Sequence, residues 1–202
     1  MTQVPIEPVT TDWMETMSGC KFNPFDEEPQ FTLADLVWGV ARAQRYNGQF
    51  KEEVEHYSVA EHLVLMTRHH ISTLPAWSTT VEGATRKTLR TTACHDLQEG
   101  LIGDMVRPLK RSDAFYQAAE DRMCEVLARR YDLTFPLPRV VKELDNRILV
   151  DERAQIMNPS GNDWGSIDGL QPLGITVQCW SPRRAAAELF ALLDELGVRD
   201  RT

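Results

Sequence analysis

Proline and glycine residues divide this chain into segments of helical length, and this division constrains the fold more than any other feature. Apolar residues recur within the segments at spacings of three and four, the period of an amphipathic helix, and no segment alternates like a strand. Thr32, Ser58 and Ser181 stand where side-chain caps are expected. The predicted helices run from Leu33 to about Tyr46, Ser58 to Ile71, Val81 to Glu99, Ala114 to Tyr131, Arg139 to Met157 and Ser181 to Leu196.

Two stretches lack this period. The first thirty residues contain four prolines and predict an ordered loop over the body of the protein, and residues 158–177 predict a long loop before the last helix. At 202 residues, the chain predicts one all-α domain over 1–202, a helical bundle with its core at about 31–157 and a C-terminal loop and helix at 158–198. The apolar anchors expected in the first loop are Trp13, Met14, Met17, Phe22 and Phe25.

The charge balance narrows the class of partner. Twenty-two basic and 30 acidic residues give a formal net charge of −8, which argues against a broad surface for nucleic acid. A small phosphorylated molecule stays compatible, because a local basic cluster can oppose the overall sign. The sequence shows neither a leader peptide nor an apolar run of about 20 residues, so we expect a cytoplasmic protein with no membrane partner.

Four cysteines stand far apart, at positions 20, 94, 124 and 179. They form no CxxC pair of the kind used in zinc thiolate or redox sites. Free cysteine is among the most buried residue types. We therefore expect four reduced cysteines in the core.

The pair His95-Asp96 near the end of the third predicted helix is the strongest chemical signal. Adjacent helical residues diverge by about 100°, so one apolar helix face cannot explain both side chains. A buried carboxylate needs a basic partner or a metal ion. His62 and Asp145 lie on other predicted helices, and together the four residues would give a mixed nitrogen and oxygen site. Such a set suits a divalent cation such as cobalt, manganese, zinc, iron or magnesium.

Taken singly, a helical histidine or aspartate is typical of packing or of the solvated surface, and the whole order of motifs is more specific. The chain carries Arg-Tyr-Asn-Gly at 45–48, Tyr-Ser-Val-Ala-Glu-His at 57–62, His-Asp-Leu-Gln-Glu-Gly-Leu-Ile-Gly-Asp-Met at 95–105, Arg-Pro-Leu-Lys at 107–110 and Val-Lys-Glu-Leu-Asp at 141–145. Over residues 13–157 it resembles the HD-domain phosphohydrolase superfamily. Within it, the chain is most similar to bacterial deoxynucleoside 5′-monophosphatases and phage dATP triphosphohydrolases.

The resemblance implies a role for each motif residue. His62, His95, Asp96 and Asp145 would be metal ligands, and Glu99 would orient or deprotonate the attacking water. Asp104 would lie close to the sugar or to that water. The residues implied in substrate binding are Arg45, Tyr46, Gly48, Arg107 and Lys110. The expected reaction is hydrolysis of a deoxynucleotide, with dATP as the first candidate, and the resemblance also implies a homo-oligomer.

Several alternatives stay open on the sequence. Glu99 is either the catalytic carboxylate or a solvated residue near a helix end, and Arg45 either grips phosphate or caps a helix dipole. If Arg107 and Arg111 point to solvent, a dNMP phosphatase replaces the dNTP triphosphohydrolase. A catalytically silent nucleotide sensor and a cyclic-nucleotide or alarmone hydrolase are the other readings. His56, His69 and His70 are expected to be solvated and outside the site.

Overall fold

A computed structural model describes residues 12–75, 83–165 and 167–200 of the protein. The described residues are mostly helical, as predicted, and include one small hairpin. Its strands are β1 (Met14–Glu15) and β2 (Lys21–Phe22), which pair antiparallel. The helices are α1 (Leu33–Arg42), α2 (Val59–Ser72), α3 (Ala84–Cys94), α4 (Glu99–Ile102), α5 (Arg107–Lys110), α6 (Ala114–Tyr131), α7 (Arg139–Ile156) and α8 (Pro182–Leu196).

The main core lies where α1, α2, α3, α4 and α8 meet, and α7 packs against α2 through a smaller cluster. The sequence prediction is confirmed for α2, α6, α7 and α8, within a residue or two at each end. Segment 158–181 contains neither helix nor strand among its described residues, as the loop prediction requires. In the described part of the chain, every helix is too short or too polar to cross a lipid bilayer.

The first helix is shorter than predicted. It ends at Arg42 and not at Tyr46, because Ala43 turns to an extended conformation and Gln44 pairs with Ser58 in a β-bridge. A 3₁₀ turn follows at Arg45–Gly48. Tyr46 and Asn47 there adopt the left-handed conformation, which is incompatible with a right-handed α-helix.

The third predicted helix is divided in two. Its proposed start at Val81 lies outside the described residues, and the helix ends at Cys94. Hydrogen bonds between residues three apart tighten the chain over 94–101, between the end of α3 and the first residues of α4, for example from the Glu99 N–H to the Asp96 carbonyl at 3.1 Å. Gly103, with φ +85°, ends α4, so the predicted end at Glu99, with Gly100 as the residue that closes the helix, was wrong.

Gly100 serves a different purpose, the close approach of α4 to α1. A Cβ at Gly39 would lie 2.1 Å from the Gly100 carbonyl oxygen, and a Cβ at Gly100 would lie 2.5 Å from the Leu36 carbonyl oxygen. The two backbones therefore meet only because neither glycine has a side chain. This contact fixes the position of Glu99 at the start of α4.

Two predictions about buried side chains need correction. Phe22 is buried and Phe25 packs on Phe115, but Trp13, Met14 and Met17 are exposed, because the short hairpin turns them away from the core. All four cysteines are free, as predicted. Cys94 alone among them is fully buried, since the other three lie on partly exposed helix faces or loops.

Candidate metal centre and its cavity

Two histidines and two aspartates converge from three parts of the fold. His62 lies in α2, His95 and Asp96 directly follow α3, and Asp145 lies in α7. One ligand atom from each belongs to a group whose members all lie within 4.8 Å of one another. The His95 Nε2 atom is 3.3 Å from Asp96 Oδ2, and the His62 Nε2 atom is 3.4 Å from Asp145 Oδ1. The structure thus brings together the four residues that the sequence proposed as ligands.

The hydrogen bonds of both imidazoles leave the same nitrogen available. The Nδ1 atom of His62 lies 2.7 Å from the Glu152 carboxylate, and that of His95 lies 2.9 Å from the Thr92 carbonyl. Both partners are acceptors, so Nδ1 carries the proton in each ring. The two Nε2 atoms are buried and have no hydrogen-bond partner among the described residues. Each Nε2 atom therefore faces the carboxylates and could bind either a proton or a cation.

The spacing of these atoms fits a divalent ion. Ligand atoms about 2.1 Å from one ion lie about 3.0 Å apart at right angles and about 3.4 Å apart at tetrahedral angles. The nitrogen–oxygen pairs of this group are separated by 3.3–3.9 Å. Two imidazole nitrogens that lack a partner and two carboxylate oxygens therefore make a site that could hold a metal ion.

The electrostatics of these four residues also favour the binding of a cation. Burial lowers the pKa of His95, but Asp96 and Asp145 outweigh burial and hold this pKa well above its usual value. Burial raises the pKa of Asp96, but the His95 ring brings it down to about 2. The pKa of Asp145 is also held far below its usual value against burial, by His62 and His95. A proton and a divalent cation would therefore compete for the same small volume.

A cavity of about 1030 Å³ opens beside the four residues, and Asp96 and Asp145 form part of its wall. Besides polar side chains, its lining includes Leu149 and the aromatic rings of Tyr46 and Trp164, which lie against each other. The lining carries four basic and five acidic side chains. These are Arg45, Arg107, Lys110 and Arg111, and Asp96, Glu99, Asp104, Glu120 and Asp145.

Glu99 lies in this wall and is only 4% exposed, so the alternative of a solvated carboxylate is wrong. Its Oε2 atom has no hydrogen-bond partner among the described residues, and Lys110 Nζ lies 3.8 Å from its Oε1 atom. Burial, then the charges of Asp96 and Asp104, raise the pKa of Glu99 well above its usual value. Asp104 lines the same wall, and burial raises its pKa as well. Both predicted catalytic carboxylates thus face the cavity.

Four of the five residues predicted to contact substrate line the cavity. Arg45, Tyr46, Arg107 and Lys110 line the cavity, while Gly48 does not. The φ of Gly48 is +70°, and a Cβ there would lie 2.6 Å from the Gln44 side-chain oxygen. This glycine therefore shapes the turn that carries Arg45 and Tyr46, and its contact with substrate stays a prediction.

One residue of the site was missed. Glu152 is completely buried in α7 and accepts hydrogen bonds from His62, Arg45, Tyr46 and Tyr57. Burial raises its pKa, but the charge of Arg45 and the other donors lower it to about 2. Its signal in the sequence was an acidic residue two helical turns after Asp145, within the apolar stripe of the fifth predicted helix.

The other histidines lie outside the metal centre. His56 is half-buried and its Nε2 lies 3.0 Å from the Ala41 carbonyl, and His69 is half-buried near the end of α2. The prediction that His70 is solvated was wrong. It is 6% exposed, and its Nδ1 lies 2.9 Å from the Thr92 hydroxyl, because α2 and α3 pack closely here.

Comparison with known proteins adds little to this geometry. No protein-family model matches the chain. The chain is similar to an uncharacterized protein of Rhodobacter capsulatus, with 28% identity over 132 residues. The match covers 64% of this chain and 63% of that protein, so the chain spans less than two thirds of the relative's length. The relative's name states no function, and the functional case rests on the site itself.

Proposed function

We propose that the protein is a metal-dependent phosphohydrolase of the HD type that acts on a small deoxynucleotide. One observation carries the proposal. His62 and His95 are fixed as Nδ1 tautomers with buried, unpartnered Nε2 atoms, and these converge with Asp96 and Asp145 beside a cavity that contains four basic side chains.

His62, His95, Asp96 and Asp145 would hold the metal ion, and the nitrogen and oxygen set suits cobalt, manganese, zinc, iron or magnesium. When bound, such an ion would polarise the phosphoryl group and favour deprotonation of water. Four protein ligands leave further positions in an expanded shell. The cavity adjoins two of the ligands, so substrate would reach the ion from this side.

Glu99 is the residue best placed to handle the proton of the attacking water. It stands one helical turn beyond Asp96, faces the cavity, and keeps one carboxylate oxygen without a partner. In the proposed step the water oxygen bonds to phosphorus and its proton passes to Glu99. The bond between phosphorus and the 5′ oxygen breaks, and this oxygen takes up a proton from solvent, to which Glu99 later returns the one it received. Asp104, in the same wall, would contact the sugar or the attacking water.

Charge in the cavity supports a phosphorylated ligand. Its four basic and five acidic side chains give a formal charge of −1 without an ion, and a divalent cation changes this to +1. Arg45 supplies the buried part of the clamp, and its planar guanidinium suits phosphate oxygens. Tyr46 and Trp164 stand 5.9 Å apart in the aromatic part of the wall, where the sugar and base would pack.

Two observations bear on the number of phosphates. Arg107 and Arg111 both line the cavity, which favours a triphosphate and hence a dNTP, with dATP as the first candidate. Against this, Arg45 is paired with Glu152, and Lys110 with Glu120 and Glu99. This pairing favours the second candidate, a dNMP phosphatase, because it leaves less positive charge for the substrate.

The deciding experiment separates the products made by metal-loaded protein from dATP and from dAMP. We expect dATP to yield deoxyadenosine and tripolyphosphate, since water attacks the α-phosphorus. Inorganic phosphate from dAMP together with intact dATP would replace this candidate with the monophosphatase. Absence of turnover across mono- and triphosphates, ribo and deoxy, with each of the five metals would contradict the proposed function. Asp151→Asn serves as control, because Asp151 is buried in α7 and faces away from the cavity.

A further inference from the structure

Glu152 connects two residues of the site that lie on different elements, His62 in α2 and Arg45 in the 3₁₀ turn. Its Oε1 atom accepts from the Tyr57 hydroxyl at 2.8 Å and lies 2.7 Å from His62 Nδ1. Its Oε2 atom accepts from Arg45 Nε at 3.3 Å and from the Tyr46 hydroxyl. A carboxylate has about four acceptor positions, so this one is fully used.

The sequence places Glu152 for this task through the period of α7. It stands seven positions after Asp145, and two helical turns bring both to the same side of the helix. Asp145 contributes to the metal centre from this side, while Glu152 lies behind His62 and beneath Arg45. Both side chains of Glu152's ion pair are at most 10% exposed, so solvent does not compete for it.

We propose that Glu152 is a positioning residue that orients the metal ligand His62 and the phosphate-binding Arg45 at the same time. The inference rests on the proposed function and deepens it. One carboxylate sets the ring of His62 so that Nε2 faces the metal, and holds Arg45 at the cavity wall. Metal binding and phosphate binding are thereby linked through a group that contacts neither.

A glutamine at this position shows why the carboxylate is needed. An amide has only one oxygen, so its NH₂ group must face two of the four donors. If it faces His62, the ring must accept at Nδ1 and carry its proton on Nε2, where the metal binds. If it faces Arg45, a buried guanidinium loses its partner, and Asp96, 3.9 Å away, becomes its nearest carboxylate. Either arrangement weakens the metal centre.

The first test compares Glu152→Gln with Asp151→Asn by titration with Co²⁺, followed by absorption spectroscopy. The two residues are adjacent in α7 and both buried, but Asp151 accepts backbone N–H groups of 173–175. We expect Glu152→Gln to bind Co²⁺ about 10- to 100-fold more weakly, the usual effect of losing a partner behind a ligand histidine. Asp151→Asn should bind it like wild type. Equal Co²⁺ affinity of folded Glu152→Gln and wild type would overturn the inference.

Steady-state kinetics test the second half of the proposal, that Glu152 holds Arg45 in place to bind phosphate. At saturating Co²⁺, Glu152→Gln should raise the KM for dATP, because Arg45 is no longer held against the cavity. A change in kcat with unchanged KM would contradict this part of the proposal.

A measurement on the wild type decides the matter if Glu152→Gln does not fold. In zinc-loaded protein, long-range ¹H–¹⁵N NMR should show the His62 ring with its proton on Nδ1 and the metal on Nε2. Coordination through Nδ1 would overturn the inference while leaving the proposed function intact. Failure of the wild type to bind any of the metals would instead contradict the proposed function, and the inference with it.

Discussion

Two neighbouring residues of α7 show how differently buried carboxylates are used in this protein. Asp151 accepts the backbone N–H groups of Leu173, Gly174 and Ile175, at 2.6, 3.0 and 3.2 Å, and so ties the long loop to the helix. Glu152 accepts only side-chain donors, and these belong to the candidate site. We call the side of α7 that carries Asp151 the loop side, and it anchors the loop. We call the side that carries Glu152 the cavity side, and its carboxylate binds the ionisable side chains of the candidate site.

This difference between backbone-bound and side-chain-bound carboxylates indicates which buried polar groups belong to a functional site. On the loop side, α2 repeats the pattern, because Glu61 accepts three backbone N–H groups at 178–180. Such groups are satisfied by the fold alone. On the cavity side, His62 Nε2, His95 Nε2 and Glu99 Oε2 are buried without a partner among the described residues. Buried polar atoms are rarely left so, and a cluster of them beside a cavity indicates a ligand.

The largest expected contrast comes from the same substitution on both sides of α7. Asp145→Asn removes a charged ligand from a site with only four from the protein, so we expect loss of bound metal and of turnover. Asp151→Asn should keep both. Metal analysis of the purified variants checks this, and full metal occupancy in Asp145→Asn would break the distinction between the two sides.

The next contrast concerns Glu99 and Glu61, two buried glutamates of opposite kind. Glu99→Gln should keep the metal but lower turnover about a hundredfold or more, the scale for losing a positioned acid or base. Glu61→Gln keeps one oxygen and so loses an acceptor for at least one of the backbone N–H groups of 178–180, which lowers stability, but it should leave turnover per folded molecule nearly unchanged. Turnover with a metal content measured on the same sample checks this. Equal rates in Glu99→Gln and wild type would remove Glu99 from the mechanism.

Much of this architecture could be predicted from the sequence, because the helices depend on local patterns. The periods of α2, α6, α7 and α8 and the caps at Ser58 and Ser181 are local, and the structure confirms them. The His-Asp pair led to a ligand group that the structure brings together. The helices followed from local patterns alone, whereas the ligand group followed from the order of motifs along the chain and the resemblance that this order carries.

Three of the misses involve contacts between distant segments. Tyr46 was placed in a helix, but the bridge between Gln44 and Ser58 takes the chain out of it. Gly100 was read as a helix end, but its lack of a side chain serves the contact with Gly39. Glu152 was overlooked, because its donors lie about 90 to 107 residues earlier in the chain. Sequence patterns report a residue's own element better than its partners.

A smaller effect should appear on the loop side alone. Asp151→Asn leaves at least one of the three backbone N–H groups without an acceptor, which costs about 1–3 kcal/mol of folding free energy. Urea denaturation of the metal-free protein measures this loss. Turnover of the folded fraction should not change, and a parallel loss of turnover would show that the loop anchor also shapes the cavity.

The smallest expected effect tests whether backbone-facing carboxylates behave alike elsewhere in the fold. Asp35 accepts the N–H groups of Ser18 and Thr32, both at 2.8 Å, and joins the hairpin to α1. Burial raises its pKa, but these bonds and the two hydroxyls outweigh burial and lower it below the ordinary 3.8. A lowered pKa gives stability that is complete above the ordinary value and is lost as pH falls through the lower one. Asp35→Ala should therefore cost about 1 kcal/mol at neutral pH, as for a lost cap, and the cost should shrink near pH 3. Urea denaturation at both pH values measures this, with Glu15→Ala of the same hairpin as control. A cost that grows on acidification would contradict the assignment of Asp35 to the anchoring kind.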